Sequence, residues 1–298
     1  MTPHRSSGLG VEPDCEPARS VVPRLIVHER ARDALASDLG APATQVWRSP
    51  DGMVSAVCLR RDGQHWVEVP GVARFFSSID DRGCVTAIPH PDARLDEVVD
   101  TYRRSAVPLL LQALGTEVLH ASAALTADGV IGCCGAARTG KSTLVFALAQ
   151  RGYPVWADDA LAVDLATEPV TTVALPCEVR LRPSATVYFE GRGITPGARM
   201  APDGSDQSPQ PLSALVVLAR STRGALTVER LPPARAFAAL LSHAYCFSLQ
   251  QTDDKRRLLE RYLALATRVP VYRLEFEPRF DVLPDTVLAL ERLGASLS

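Results

Sequence analysis

Val130-Ile131-Gly132-Cys133-Cys134, then Gly135-Ala136-Ala137-Arg138-Thr139-Gly140-Lys141-Ser142-Thr143, then Leu144-Val145-Phe146-Ala147-Leu148-Ala149 reads as an apolar strand, a glycine-bearing loop and an apolar helix. The loop from Gly135 fits G-x-x-x-x-G-K-[ST], the pattern of a P-loop. Glycines where a strand ends let successive backbone N–H groups turn inward around phosphate oxygens, at the positive end of the following helix. Lys141 then reaches the β- and γ-phosphates, and the Ser142 hydroxyl ligates Mg²⁺. Gly135, Ala136, Ala137, Arg138, Thr139, Gly140, Lys141, Ser142 and Thr143 are accordingly expected to bind ATP. Of the 32 lysine and arginine residues only Lys141 and Lys255 are lysine, so a chain that otherwise favours arginine keeps a lysine in this loop.

Downstream, the helix from Lys141 to Arg151 is expected to end at Gly152. A strand from Pro154 to Ala157 then delivers Asp158-Asp159. An acidic residue at the end of a strand near a P-loop holds Mg²⁺ or its water shell, and a second carboxylate can accept the proton of an attacking hydroxyl. Further strands are expected at Ala160 to Leu165, Leu212 to Ala219, Leu226 to Leu231 and Val269 to Phe276, with helices at 233–245, 253–267 and 284–294. Residues 191–211, rich in Gly, Pro, Asp and Ser, read as a mobile loop.

Upstream, Glu117 to Leu125 reads as one strand and Leu95 to Leu114 as a helix kinked by Pro108. Residues 24–94 form a β-rich module. Its short strand-like runs are Gln45 to Arg48, Val54 to Arg61, His65 to Val69, Ala73 to Ser78 and Cys84 to Ile88, separated by glycine turns. Residues 1–23 lack periodicity and read as a flexible tail. The expected organisation is that tail, the 24–94 module, and an α/β domain over 95–298 with a mixed sheet.

Composition narrows the function. The 298 residues carry a formal charge of −2, so no basic excess supports nucleic-acid binding. Seven scattered cysteines without a C-x-x-C pair point to reduced thiols in the cytoplasm rather than disulfides or a zinc site. The first twenty residues contain no apolar signal-peptide core, and the longest apolar runs are too short to span a bilayer.

The run Leu119-His120-Ala121-Ser122, the P-loop, Arg151-Gly152-Tyr153, Ala157-Asp158-Asp159 and Glu178-Val179-Arg180 together resemble the catalytic domain of the HPr kinase/phosphorylase superfamily. The resemblance spans roughly 115–295 and is concentrated at 119–182. It implies a P-loop mixed-sheet kinase domain related to phosphoenolpyruvate carboxykinase, using ATP and Mg²⁺ on a serine hydroxyl. It also implies Asp158 as general base, Lys141 and Arg180 acting on transferring charge, and His120 positioning the aspartates. Ser142, Asp159 and Glu178 would be the metal ligands. The β-rich front end is closer to the HPr-kinase-related proteins found beside peptide natural-product genes, including lasso-peptide kinases. That makes a peptide or protein, such as a precursor peptide, the expected acceptor. Assembly into a homo-oligomer is a family habit, whereas nucleic acid and membrane are not expected partners. Two other readings stay open: a small-molecule alcohol kinase on the same fold, and a non-catalytic ATP-binding regulator. Arg138 departs from the family's loop, giving up a glycine's backbone freedom but adding a cation near the phosphates.

Overall fold

The computed structural model describes residues 23–28, 42–49, 51–78, 80–81, 83–195, 208–222, 224 and 226–295. Of the expected tail only Pro23 is among them, and residues 196–207 of the expected 191–211 loop lie outside them.

A six-stranded sheet comes first: β1 (Arg24–Val27), β2 (Ala43–Arg48), β3 (Val54–Arg61), β4 (Gln64–Val69), β5 (Ala73–Ser78) and β6 (Cys84–Pro89). From β2 to β6 it is an antiparallel meander, and β1 adds parallel to β6. Alternation sets which face is covered: Ala73, Phe75 and Ser77 of β5 are buried, while their neighbours are half-buried. The covering element is the helical segment that follows, α1 (Leu95–Thr101), a π-helical turn (Tyr102–Ala106) and α2 (Val107–Ala113). Val98, Tyr102, Ala106 and Leu110 share one core with Cys58, Val67, Phe75 and Val85 of the sheet, and also with Val118, Ala162 and Phe247 further on. Pro108 has no N–H, and its ring crowds the carbonyl four residues back, so the irregularity falls in the turn before it rather than at the proline. That turn carries Arg104.

The second sheet is mixed. Its strands are β7 (Glu117–Leu119), β8 (Ala121–Thr126), β9 (Gly129–Cys134), β10 (Val155–Ala157), β11 (Leu161–Asp164), β12 (Thr171–Val173), β13 (Gln210–Arg220), β14 (Thr227–Arg230) and β15 (Val271–Phe276). The order is β10-β8-β9-β13-β12-β11-β7, with β15 pairing both β13 and β14. Only β9, β13 and β15 run parallel to one another, and the remaining pairings are antiparallel. The expected single strand from Glu117 to Leu125 is divided at His120. There the backbone N–H bonds the His243 carbonyl at 2.7 Å, and β7 joins β11 while β8 joins β9 and β10.

The helices are α3 (Lys141–Ala149), α4 (Pro183–Glu190), α5 (Pro233–Leu241), α6 (Thr252–Arg268) and α7 (Leu283–Ala295). Leu144, Val145, Phe146, Ala147 and Leu148 of α3 are all buried, against Ile131 and Val216 of the sheet, Phe189 of α4 and Leu290 of α7. A helix covered on several sides needs no polar face, which explains its continuous apolar run. Each large side chain buried there contributes about 1.5–3 kcal/mol. No helix among the described residues is long and apolar enough to cross a membrane.

The β8–β9 hairpin turns at Gly129, whose φ is +120°, and a Cβ there would lie 2.5 Å from the Pro211 carbonyl oxygen. Gly129→Ala is expected to destabilise the chain by about 1–3 kcal/mol through left-handed strain and this backbone clash. Urea unfolding checks it, and an unchanged midpoint would contradict the close approach.

Candidate functional site

β9 ends at Cys134, and loop 135–140 carries the chain into α3. Arg138 and Gly140 both take positive φ, +72° and +109°. Arg138 thus adopts the left-handed backbone its side chain disfavours, and the Arg220 guanidinium holds its carbonyl. The N-cap of α3 is Gly140, with no side-chain cap. The first-turn N–H groups, which have no partners within a helix, are left facing a cleft of about 500 Å³ lined by residues 137–144. Lys141 is buried and folds back, its Nζ donating to the carbonyls of Gly135 at 2.8 Å and Ala136 at 3.4 Å. Burial lowers its pKa, against the pull of the Asp159 and Asp158 carboxylates.

Asp158 follows β10 directly and is 8% exposed. Its Oδ1 accepts from Ser122 Oγ at 2.5 Å and from Ser142 Oγ at 2.8 Å, and its Oδ2 faces the Arg180 backbone N–H at 3.4 Å. Burial raises its pKa, aided by the neighbouring Asp159 charge and opposed by the two serines. Asp159 has φ +67° and so turns the other way. Its carboxylate is bound by Arg104, its Oδ1 lies 3.9 Å from His120 Nε2, and its main-chain oxygen accepts from the Tyr245 hydroxyl at 3.3 Å. His120 is pushed down to about 4 by burial and by Lys141, with Asp159 pulling the other way, so its imidazole is neutral at pH 7.

Lys141, Ser142, Asp158, Asp159, His120 and Arg180 therefore line one cleft, together with Ala137, Arg138, Thr139, Gly140 and Thr143. Gly135 and Ala136 lie behind it, as acceptors for Lys141. The Arg180 guanidinium is held by Asp100 at 2.7 Å, half-exposed at the rim. Glu178 is exposed and does not line the cleft, so the structure does not bring it to the other residues expected to hold a metal. The metal-facing contact also differs from the expectation, since Asp158 rather than Asp159 bonds Ser142. Residues not singled out by sequence reasoning complete the site. Ser122 stands in the quoted 119–122 run with no role attached, and Arg104, Arg182, Arg220 and Arg279 reach the cleft from four separate segments. Phe276, Phe280 and Leu283 form an apolar wall, and Tyr188 stacks on Phe280 at 4.6 Å between ring centroids.

No family model matches the chain, and no curated protein matches it. Among solved structures, the HPr(Ser) kinase/phosphatase from Coxiella burnetii aligns over 60% of this chain and 98% of that one, at 12% identity and a TM-score of 0.31. The functional reading rests on the site's own geometry.

The donor set suits a polyphosphate. Helix N–H groups, Lys141 and six arginines (Arg104, Arg138, Arg180, Arg182, Arg220 and Arg279) face two carboxylates. Among the described residues no group of three or more His, Cys, Asp or Glu is arranged to hold a metal. The fit is to Mg²⁺, which binds through one or two protein groups plus substrate phosphates and retained waters. Ser142 and Asp158 would hold it.

Because burial outweighs hydrogen bonding, an ionised Asp158 is a net penalty to the folded chain. A raised carboxyl pKa means this penalty is absent below the unfolded value, grows as pH rises through the folded value, and persists at neutrality. Asp158→Asn keeps an acceptor for both serines. It is expected to raise the thermal midpoint at pH 7 and to lose that advantage as pH falls towards about 4. Calorimetry across that range checks it, and a variant less stable than the wild type at pH 7 contradicts it.

Proposed function

We propose that this chain is an ATP-dependent kinase that transfers a phosphoryl group to an alcohol hydroxyl. The observation that carries the reading is the single constellation of Lys141, Ser142 and Asp158 beside Asp159, His120 and Arg104, at the uncapped N-terminus of α3. Nucleotide binding alone calls for the first half of that set but not the second.

The division of labour follows position. The first-turn N–H groups of α3 receive the phosphates, and Lys141 moves from the Gly135 carbonyl to them. Ser142 and Asp158 would hold Mg²⁺, which would supply charge neutralisation at the phosphates. Asp158, tied to Ser142 and Ser122, orients the Ser142 hydroxyl. Asp159, facing His120, is placed to take the proton of the attacking alcohol, and its neutral imidazole neighbour adds no competing charge. This reverses the roles the family resemblance implies for the two aspartates. Geometry is the ground, since Asp158 is committed to the loop serine and Asp159 is not. The wall of Phe276, Phe280 and Leu283 suits the base of the nucleotide. The resemblance favours a serine hydroxyl of a peptide as acceptor.

The test is calorimetric ATP binding followed by transfer of labelled γ-phosphate to serine peptides and small alcohols. Lys141→Ala is expected to weaken ATP binding about ten- to a hundred-fold, the worth of charge-assisted hydrogen bonds. Asp159→Asn is expected to lower transfer by about 10²- to 10⁴-fold with ATP affinity nearly unchanged, and Asp158→Asn to raise the Mg²⁺ concentration required. ATP affinity indifferent to Lys141→Ala would sink the kinase reading. Full transfer by Asp159→Asn would return the base role to Asp158, and tight ATP binding without any transfer would favour the regulator.

A further inference from the structure

We propose that a second cavity, on the far side of His120 and Arg104 from the nucleotide cleft, is the acceptor site and takes an uncharged alcohol. The proposal rests on the kinase reading and names the substrate class for it. The cavity holds about 290 Å³ and is built at the seam between the two sheets. Trp47 and Ser55 come from the first sheet, Ser105 and Leu109 from the helical segment beneath it, and His243 and Tyr245 from the turn after α5.

Connection to the chemistry is direct. Arg104 and His120 line both cavities and form the partition between them. Asp159 stands at that partition, gripped by Arg104, 3.9 Å from His120, and bonded through its main-chain oxygen to Tyr245. The His120 backbone is pinned to the His243 carbonyl at 2.7 Å, which fixes this wall to the turn that supplies the far side. Asp159 itself lines the nucleotide cleft, so a hydroxyl held in the second cavity reaches its carboxylate past His120. The hydroxyl oxygen bonds to the γ-phosphorus as the bond from that phosphorus to the β–γ bridging oxygen breaks. ADP leaves, and the hydroxyl proton passes to Asp159.

Charge selects the class. The one formal cation lining the cavity among the described residues, Arg104, is already paired with Asp159. Burial, together with Lys141, lowers the pKa of His243, which disfavours its cationic form. An ionic acceptor would lose part of its hydration there without gaining a counter-ion. A neutral alcohol meets serine hydroxyls and imidazoles along its polar edge and the Trp47 and Leu109 side chains along its body. The volume lies at the lower end for ligand pockets, enough for a small polyol or a single side chain.

The experiment uses the full chain with Mg-ATP and four probes: glycerol, its anionic counterpart glycerate, N-acetylserinamide, and a capped serine tripeptide. ADP release and ³¹P spectra of the products are read. ATP binding is measured first, which shows whether the nucleotide site exists; transfer to glycerate alone then overturns the acceptor class and leaves the kinase reading, whereas ATP binding with no transfer to any of the four probes counts against both. Ser55→Trp, at an exposed strand position, and Ser105→Leu, within the helical segment, each reduce the cavity. At least one neutral probe is expected to gain phosphate, with glycerate at least ten-fold poorer than glycerol. Both variants are expected to lower probe-dependent turnover at least ten-fold, while ATP affinity, set in the other cleft, stays within two-fold. A preference for the serine probes identifies a peptide source, and one for glycerol a free polyol. Glycerate used better than glycerol, no transfer to any neutral probe, or probe-dependent turnover unaffected by both variants overturns the proposal.

Discussion

The site is organised by one buried carboxylate. Asp158 accepts hydrogen bonds from Ser122 on β8 and Ser142 on α3, and it faces the Arg180 backbone beyond β12. Three segments far apart in sequence are thereby fixed around one group that sits at the end of β10. The arrangement is costly, because burial drives the carboxyl towards its neutral form more strongly than the serines hold it ionised. Little about stability calls for an acid there. A binding or catalytic requirement does, and stability given up for a positioned charge is the usual signature of a functional centre.

Around that carboxylate the adjacent aspartate turns the opposite way. The left-handed backbone of Asp159 sends its side chain to Arg104 and His120 instead of into the loop. Arg104 reaches it because the helical segment widens into a π turn ahead of Pro108, and such turns often occur where a helix serves a site. The same segment buries Val98, Tyr102 and Leu110 against the first sheet. Displacing that sheet would uncover this core and loosen the arm that carries Arg104. The β-rich front end is thus packed against the arm that carries Arg104.

Sequence reasoning succeeds where the signal is local. The apolar strand, the glycine loop and the apolar helix of residues 129–149 are read directly, as are five of the six strands of the first sheet, because period and turn residues are written into the chain. It falls short where distant partners decide. The break at His120 depends on a bond to His243, more than a hundred residues away, and nothing in the 117–125 run announces it. β12 has three residues, and α4 opens on a proline and mixes β-branched and aromatic residues, so neither shows a period. The paired aspartates are legible as a feature. Their separate directions are not, since these follow from one backbone angle and from an arginine that reads simply as part of a helix. Glu178 illustrates the opposite error, a short match whose side chain the fold leaves in solvent.

The lysine in the loop closes the argument from composition to site. Thirty-two basic residues include only two lysines, and Lys255 lies exposed on α6. Lys141 is buried, with its ammonium folded onto two carbonyls of its own loop. That position suits a compact cation with rotatable donors on a flexible stem. A guanidinium is planar and larger, and it holds its donors in a rigid fork. The arginines at the rim need only supply charge across open water, where either residue serves. A chain that uses arginine nearly everywhere else retains lysine at the point where size and mobility of the charge both matter.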